Sequence, residues 1–157
     1  MNKTNLYAAL RAGFPADLDA TAIETADGTL APLHYRWRDL ERGSAMLANL
    51  LLSLDLPDGA RVAVQTEKSV EALMLYLAVL RAGYVYLPLN TSYQAAEVEY
   101  FIGNAEPSVV VCTRKNFGWV SKIAFNAGTQ NVFTLDDDRS GSLLERAAAH
   151  SDQHSVS

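Results

Sequence analysis

A polar loop after an apolar run offers the best candidate for binding chemistry in this sequence. In LPLNTSY, residues 87–93, the side chains of Asn90, Thr91 and Ser92 follow the end of a predicted buried strand. Open parallel sheets form their ligand crevice at this carboxyl edge, so these side chains could bind a substrate there. The alternative is that they cap the next helix, since Thr91 and Gln94 have the spacing of a capping box. The residues alone favour the capping interpretation.

Two further groups of residues could bind ions. His150 and His154 are four residues apart, a spacing that on a helix places two imidazoles on one face for a metal. Their segment is polar, however, and no third ligand is near them in the sequence. Asp136–Asp138 could form a cation site and Ser140–Ser142 an anion-binding turn, but three adjacent carboxylates repel a phosphate. We interpret this stretch as a solvated acidic loop and predict no metal site.

No set of residues for nucleophilic or phosphate chemistry is recognisable. Neither G-x-G-x-x-G nor G-x-x-x-x-G-K-[ST] occurs in the 157 residues. Cys112, the single cysteine, closes an apolar run, and a free cysteine in such surroundings usually behaves as a small hydrophobic residue. We therefore predict no catalytic and no cofactor-binding residue in this chain.

The elements that would position the polar loop alternate between strands and helices. After a short helix near residues 6–13 and a hairpin turned by Asp27-Gly28, apolar periodicity predicts the following elements. Strands are expected at residues 61–65, 84–89, 108–112 and 131–135, and helices at residues 36–54, 69–82, 94–105, 117–127 and 143–149. The helix at residues 69–82 is long enough to carry the chain from the end of the strand at residues 61–65 back to the level of its first residue. The strands at residues 61–65 and 84–89 should therefore pair in parallel. The pattern predicts an α/β fold with a layered, mostly parallel sheet and flanking helices.

Composition excludes several classes of protein. The chain carries 13 basic and 18 acidic residues, a formal net charge of −5, which argues against a nucleic-acid or anionic-membrane partner. Its hydrophobic fraction of 49% is that of an ordinary globular domain. The longest apolar run, residues 72–80, is far shorter than the roughly 20 residues of a membrane-spanning helix. With one cysteine and no signal peptide, we expect a reducing, cytoplasmic setting.

Two stretches resemble the N-terminal region of acyl-CoA synthetases, which belong to the adenylate-forming (AMP-binding) superfamily. They are DLPDGARVAVQTEKSVEALMLYLAVLRAGYVYLPLN, residues 55–90, and EVEYFIGNAEPSVVVC, residues 97–112. The marks of the superfamily are Gly59 with Arg61-Val62, Leu77-Ala78 with Arg81-Ala82-Gly83, Pro88-Leu89-Asn90, and the helix around Glu97 and Tyr100. Within the superfamily, QTEKSVEALMLYLA, VYLPLNTSY and YFIGNAEP are most similar to the malonyl-CoA synthetase branch. Ala60 and Thr91 depart from the usual Gly-Asp-Arg-Val and Asn-Pro patterns, at positions that do not touch the chemistry.

The resemblance implies the N-terminal α/β subdomain of an ATP-dependent acid–CoA ligase. In such an enzyme ATP and a carboxylate give an acyl-adenylate and pyrophosphate, and the CoA thiol then displaces AMP, with Mg²⁺ neutralising phosphate charge. The family's Pro-Lys-Gly phosphate loop does not occur in these 157 residues, and neither does the C-terminal domain with its catalytic lysine. Asn90 and Thr91 are implied to line the CoA channel. We expect no tight binding of ATP, Mg²⁺ or CoA to this chain alone.

The predicted organisation is a helical segment at residues 1–20, the α/β subdomain at residues 21–149 and a loose polar tail at residues 150–157. The predicted function is that of an N-terminal fragment of a malonyl-CoA-synthetase-like ligase of fatty acid metabolism, inactive by itself. Two alternatives stay open: a non-catalytic α/β binding or interaction module, and a ligase fragment specific for a fatty or aryl acid. An exposed apolar face is expected to drive self-association.

Overall fold

Helices and strands alternate along the chain as the sequence pattern predicts. The structure, a computed structural model, describes residues 5–26 and 31–154. The helices are α1 (Leu6–Ala12), α2 (Trp37–Ser53), α3 (Val70–Arg81), α4 (Ala95–Ala105), α5 (Phe117–Asn126) and α6 (Ser142–Ala147). The strands are β1 (Thr21–Thr25), β2 (Leu33–Arg36), β3 (Arg61–Gln65), β4 (Val85–Pro88), β5 (Val109–Cys112) and β6 (Asn131–Thr134). A 3₁₀ turn, Arg114–Asn116, links β5 to α5.

Four of the strands form one parallel sheet, in the order β4-β3-β5-β6. Strand β3 lies between β4 and β5, with Val62 opposite both Tyr86 and Val109. This confirms the predicted α/β fold and the parallel pairing of β3 with β4. Strands β1 and β2 form a separate antiparallel pair, and the Asp27-Gly28 turn predicted between them lies outside the described residues.

Helix α3 connects β3 to β4 and lies within the predicted range of residues 69–82. The Ser69 hydroxyl accepts a hydrogen bond from the Ala72 N–H at 3.1 Å, which caps the first turn. Gly83 ends the helix with φ +82°, a left-handed conformation that favours glycine. Because its apolar residues surround the helix, α3 lies buried between the sheet and α2, with Leu75 and Val79 fully enclosed.

The two faces of the sheet carry separate hydrophobic clusters. Alternation along β3 sends Val62 and Val64 to one face, where they pack with α1, α2, α3 and α6, and sends Ala63 to the other. Strand β5 follows the same rule: Val111 lies on the first face and Val110 on the second, with α4 and α5. Burying one such valine stabilises the fold by about 1.5–3 kcal/mol. Helices on both faces explain why these strands read as continuous apolar runs.

Helix α1 turns its apolar residues outward. Leu6 and Leu10 are 52% and 41% exposed, whereas the Tyr7 side chain is 2% exposed. Leu6 and Leu10 therefore lie on the exposed side of the helix, and Tyr7 attaches the helix to the core. Self-association through an apolar face stays a prediction.

The described part of the predicted polar tail makes specific contacts with the body. The Asn49 side-chain amide donates hydrogen bonds to the carbonyls of Ser151 (2.9 Å) and Gln153 (3.0 Å). The Arg81 guanidinium donates to the His154 carbonyl at 2.7 Å. Residues 151–154 are thus held against α2 and α3, while the division of the chain at residues 20 and 149 stays a prediction.

Among the described residues, no helix is both long and apolar enough to cross a membrane.

Candidate functional site

The carboxyl edge of the parallel sheet carries the candidate site. Strands β3, β4 and β5 all end at this edge, because parallel strands run in one direction. An open groove of about 440 Å³ lies there, between the residues that follow β3 and those that follow β4. Its lining residues are Thr66, Glu67, Lys68, Leu89, Asn90, Thr91 and Asp137. The predicted residues Asn90 and Thr91 are therefore at a sheet edge where α/β proteins commonly bind ligands.

Asn90 uses its side chain to shape its own loop. Its Oδ1 accepts hydrogen bonds from the Ser92 backbone N–H (2.9 Å) and from the Ser92 hydroxyl (2.8 Å). Its carbonyl accepts a hydrogen bond from the Tyr93 N–H at 3.1 Å. A side-chain oxygen with two donors forms a local turn, so Asn90 Oδ1 is occupied within its own loop.

The capping prediction for this loop is wrong in its residues. Helix α4 begins at Ala95, and its N-cap is Gln94 rather than Thr91. The Glu97 carboxylate accepts a hydrogen bond from the Gln94 N–H at 2.9 Å, the reciprocal half of a capping box shifted by three residues. Thr91 therefore does not cap α4, and its half-buried side chain lines a second groove as well as the first.

The second groove, of about 510 Å³, separates the loop after β4 from the turn after β5. Thr91, Tyr93 and Gln94 line one wall, and Asn116 and Trp119 line the other. The Tyr93 ring stacks on the Phe101 ring with centroids 5.2 Å apart, which braces the first wall. Aromatic walls with amide and hydroxyl groups suit a ligand that is partly apolar and partly amide-bearing.

Gln65 is a polar residue of this edge that the sequence pattern did not single out. It ends the Val-rich strand β3, its side chain is 1% exposed, and its Nε2 donates to the Asn90 carbonyl at 3.0 Å. The signal that could have found it is a single amide side chain at the end of an otherwise apolar buried strand.

A second polar cluster, also missed, surrounds Arg81 on the opposite side of the core. The guanidinium donates to Glu41 Oε1 (3.1 Å), to the Glu41 carbonyl (2.8 Å) and to the Ser44 hydroxyl (3.0 Å). It also lies over the Tyr7 ring, with 4.5 Å from Cζ to the ring centroid. Arg81 is 4% exposed, so its charge is compensated almost entirely by these neighbours. The cluster joins α1, α2 and α3 and serves the fold.

Titration in this cluster follows from its burial. Burial raises the pKa of Tyr7 to about 12, with a further contribution from its hydrogen bond to Glu41. Burial by itself raises the pKa of Glu41, but the hydrogen bond from Tyr7 and the charges of Arg81 and Arg11 outweigh it, so that pKa is lowered. The Tyr7 phenol and the Glu41 carboxylate are therefore neutral and charged, respectively, near neutral pH.

Acidification is expected to destabilise the protein through His154. Burial, and then the nearby charge of Arg81, lower the pKa of His154 below the ordinary value of 6.5. Below that pH the unfolded chain binds a proton that the folded chain resists, so the free energy of unfolding falls as pH drops. The denaturation midpoint in urea should be lower at about pH 5.5 than at about pH 7.5.

Two histidine variants in the same segment test whether His154 causes the loss of stability on acidification. His154→Asn keeps a side-chain acceptor for Arg81 without a titrating ring. The difference between its urea midpoints at about pH 5.5 and about pH 7.5 should therefore be smaller than in the wild type. His150→Asn is the control, because the His150 side chain makes no hydrogen bond to another described residue. A drop with pH that is unchanged in His154→Asn would contradict the assignment.

The acidic loop forms a turn closed by its own hydrogen bonds. Asp138 Oδ1 accepts from the Ser140 N–H at 3.1 Å, and the Thr134 N–H donates to the Ser142 hydroxyl at 2.9 Å. Asp136 Oδ1 accepts from the Arg114 N–H at 3.1 Å. Among the described residues, no group of three histidine, cysteine or carboxylate side chains is placed to hold a metal ion. This self-closed turn carries three adjacent carboxylates and no phosphate-binding glycine motif, so it does not fit the phosphates of ATP.

Comparison with known sequences relates the chain to AMP-binding enzymes. The profile of a family described as "AMP-binding enzyme" matches residues 17–155. Phosphinothricin tripeptide synthetase PhsB of Streptomyces viridochromogenes is 34% identical over 132 residues, which are 83% of this chain and 10% of the synthetase.

Solved structures share the fold over nearly the whole chain. MatB from Rhodopseudomonas palustris, solved both without ligand and with bound ATP, is 44% identical with a TM-score of 0.88. The match covers 98% of this chain and 29% of the MatB chain. A benzoate CoA ligase from Burkholderia xenovorans, at 20% identity, covers 98% of this chain and 30% of its own with a TM-score of 0.81, which shows the fold alone. The chain spans less than a third of each of these proteins.

Proposed function

Because this chain belongs to the AMP-binding enzyme family, we propose that it is the N-terminal scaffold of an ATP-dependent acid–CoA ligase acting on malonate or a similar small acid. The observation that carries the proposal is 44% identity over 98% of the chain with MatB, at a TM-score of 0.88. The choice of malonate rests on the sequence stretches that resemble the malonyl-CoA synthetase branch. A cytoplasmic setting and a place in fatty acid metabolism belong to the same proposal.

The proposed reaction has two steps. The carboxylate attacks the α-phosphorus of ATP, which forms an acyl-adenylate and expels pyrophosphate. The thiol of CoA then attacks the acyl carbon, which forms the thioester and expels AMP while the thiol proton passes to solvent or a base. Mg²⁺ supplies charge neutralisation of the phosphates when bound, and residues outside this chain would hold it.

In that reaction, the residues of this chain position the substrate and take no part in making or breaking bonds. The parallel sheet and the buried α3 hold the loop after β4 at the carboxyl edge, and Thr91 on that loop faces both grooves. We assign Asn90 and Thr91 to the path of the CoA thiol arm. The charged groups of the first groove, Glu67, Lys68 and Asp137, lie beside that path.

The 157 residues alone are expected to be inactive. When they are mixed with ATP, malonate, CoA and Mg²⁺, no AMP should appear above a protein-free control, because the chain carries neither phosphate motif. Sustained AMP release by this chain would overturn the claim of inactivity.

A chimera tests the proposal that this chain is the N-terminal scaffold of an acid–CoA ligase. Replacing the matching segment of MatB by this chain should preserve AMP release with the acid that MatB itself accepts, because the shared fold covers the whole segment. A chimera that folds, binds ATP and yet never forms a thioester would contradict the scaffold assignment. The matched control carries the segment from the benzoate CoA ligase, which shares the fold at 20% identity.

Amino-acid adenylation is the second candidate, favoured by the 34% identity with PhsB. Such a protein would pass its acyl group to a thiol other than free CoA. In the chimera the rest of MatB supplies the chemistry, so a CoA thioester shows that this scaffold admits CoA and supports the ligase, whereas an adenylate that forms without passing to CoA supports the adenylation domain. Fatty or aryl acid specificity and a non-catalytic interaction module are the remaining alternatives.

A further inference from the structure

Gln65 connects three neighbouring parts of the sheet edge. It is the last residue of β3, the strand that has both β4 and β5 as neighbours. Its Nε2 donates to the Asn90 carbonyl at 3.0 Å, on the loop after β4. Its Oε1 accepts from Asn116 Nδ2 at 3.5 Å, on the turn after β5. One buried side chain therefore links the two walls of the second groove.

The link extends one residue further along the second wall. Asn116 Oδ1 accepts a hydrogen bond from Trp119 Nε1 at 3.3 Å. The orientation of the Trp119 ring is thereby tied to Asn116, and through Asn116 to Gln65. On the other wall, the Asn90 loop carries Thr91 and Tyr93. A chain of hydrogen bonds therefore runs from the Asn90 loop through Gln65 and Asn116 to Trp119.

Stability alone does not require an amide at this position. The Asn90 carbonyl already accepts a hydrogen bond from the Tyr93 N–H at 3.1 Å, so it would stay satisfied without Gln65. An apolar side chain of the same size would fill the space, and the Asn116 amide that loses its partner is half-buried on the open groove, where water can replace the hydrogen bond. The amide instead fixes a distance and a direction between two loops.

We propose that Gln65 is a positioning residue that sets the gap between the Asn90–Thr91 loop and the Asn116 turn for the thiol substrate. The amide-bearing arm of that substrate would lie in the second groove, between Thr91 and Trp119. The assignment of the arm rests on the proposed function. The positioning role rests on the hydrogen bonds of this chain by itself.

Hydrogen exchange in the 157-residue chain tests the positioning role. Gln65→Met preserves volume but removes both hydrogen bonds, so the Ser92 and Tyr93 amides, which are bonded to Asn90, should exchange about 3- to 10-fold faster. The denaturation midpoint should stay close to that of the wild type. Gln130→Met, the same substitution at an exposed position, is the control and should leave these rates unchanged. Unchanged exchange in Gln65→Met would overturn the positioning role.

Kinetics of the MatB chimera test the substrate. Gln65→Met in the chimera should raise KM for CoA several-fold, with kcat and the KM values for ATP and acid unchanged. An active chimera whose KM for CoA does not change would overturn the thiol assignment. An inactive chimera with Gln65 in place would overturn the proposed function and the thiol assignment together, while the exchange rates would still decide the positioning role.

Discussion

Replacing Arg81 by alanine is expected to lower the free energy of unfolding by about 3–5 kcal/mol. The guanidinium is 4% exposed and donates to Glu41 twice, to Ser44 and to the carbonyl of His154. Removing it leaves the Glu41 carboxylate without its nearest buried cation and leaves the Ser44 hydroxyl without a donor. Glu41 is 26% exposed and keeps Arg11 at 2.7 Å, so most of the cost comes from the buried Ser44 hydroxyl and the Glu41 carbonyl, which lose their donor, and from the packing of the guanidinium on Tyr7.

The measurement is urea denaturation followed by circular dichroism at neutral pH. The control is Arg38→Ala, since Arg38 and Asp19 form an ion pair of 2.7 Å whose side chains are 39% and 56% exposed. Exposed pairs contribute about 0–1 kcal/mol, so this control should change little. Arg81→Ala together with Glu41→Ala should lose less than the sum of the two single losses, because both remove one interaction. A loss for Arg81→Ala no larger than that of Arg38→Ala would refute the expected role.

Replacing Gly141 by alanine is the second substitution with a large expected cost, about 2–5 kcal/mol. Gly141 has φ +135° and ψ 160°, a region that is essentially restricted to glycine. A Cβ on this residue would overlap the carbonyl of Thr134 and lie 3.0 Å from Leu135 Cα. Since the overlap is with backbone, no side-chain rotation relieves it.

The reason for this close approach is the docking of helix α6. The Thr134 N–H and the Ser142 N–H each bond the hydroxyl of the other residue at 2.9 Å, which closes the acidic loop onto the end of β6. Leu143 and Leu135 then pack in the core, 0% and 1% exposed. A side chain at position 141 would separate the loop from the strand and pull Leu143 outward.

Gly103→Ala is the matched control for this substitution. Gly103 lies in α4, is exposed, and an added Cβ would meet nothing within 4 Å. Alanine stabilises a helix interior by about 0.5–1 kcal/mol relative to glycine, so the same substitution should have the opposite sign there. Equal thermal midpoints for the Gly141 and Gly103 variants would contradict the close approach of the loop to β6.

The position of the polar loop after β4 was predictable from the sequence, but the contacts of its side chains were not. The polar loop after β4 could be located because a polar run directly follows an apolar strand, and the structure places Asn90 and Thr91 on a groove at the sheet edge. The role of each side chain was not predictable in the same way. Asn90 Oδ1 accepts a hydrogen bond from Ser92, and helix α4 is capped by Gln94 rather than Thr91. A helix that begins a few residues later has different N–H groups in need of an acceptor.

The sequence by itself determined the elements of this protein and their class. Apolar runs placed β3 and β5, and Ser69 and Gly83 bounded α3, because propensity, capping and positive φ act within a few residues of the chain. Alternation of strands with helices then implied a parallel sheet, and the motifs along residues 55–112 indicated the family.

Tertiary structure alone decided which distant polar groups meet. Arg81 reaches Glu41 across 40 residues, and Gln65 reaches Asn90 and Asn116 across 25 and 51 residues. Those contacts depend on where α3 packs on α2 and on the strand order β4-β3-β5-β6. Such packing is the sum of many weak, non-directional apolar contacts, so a polar pair leaves no local signature in the sequence until the layers have assembled.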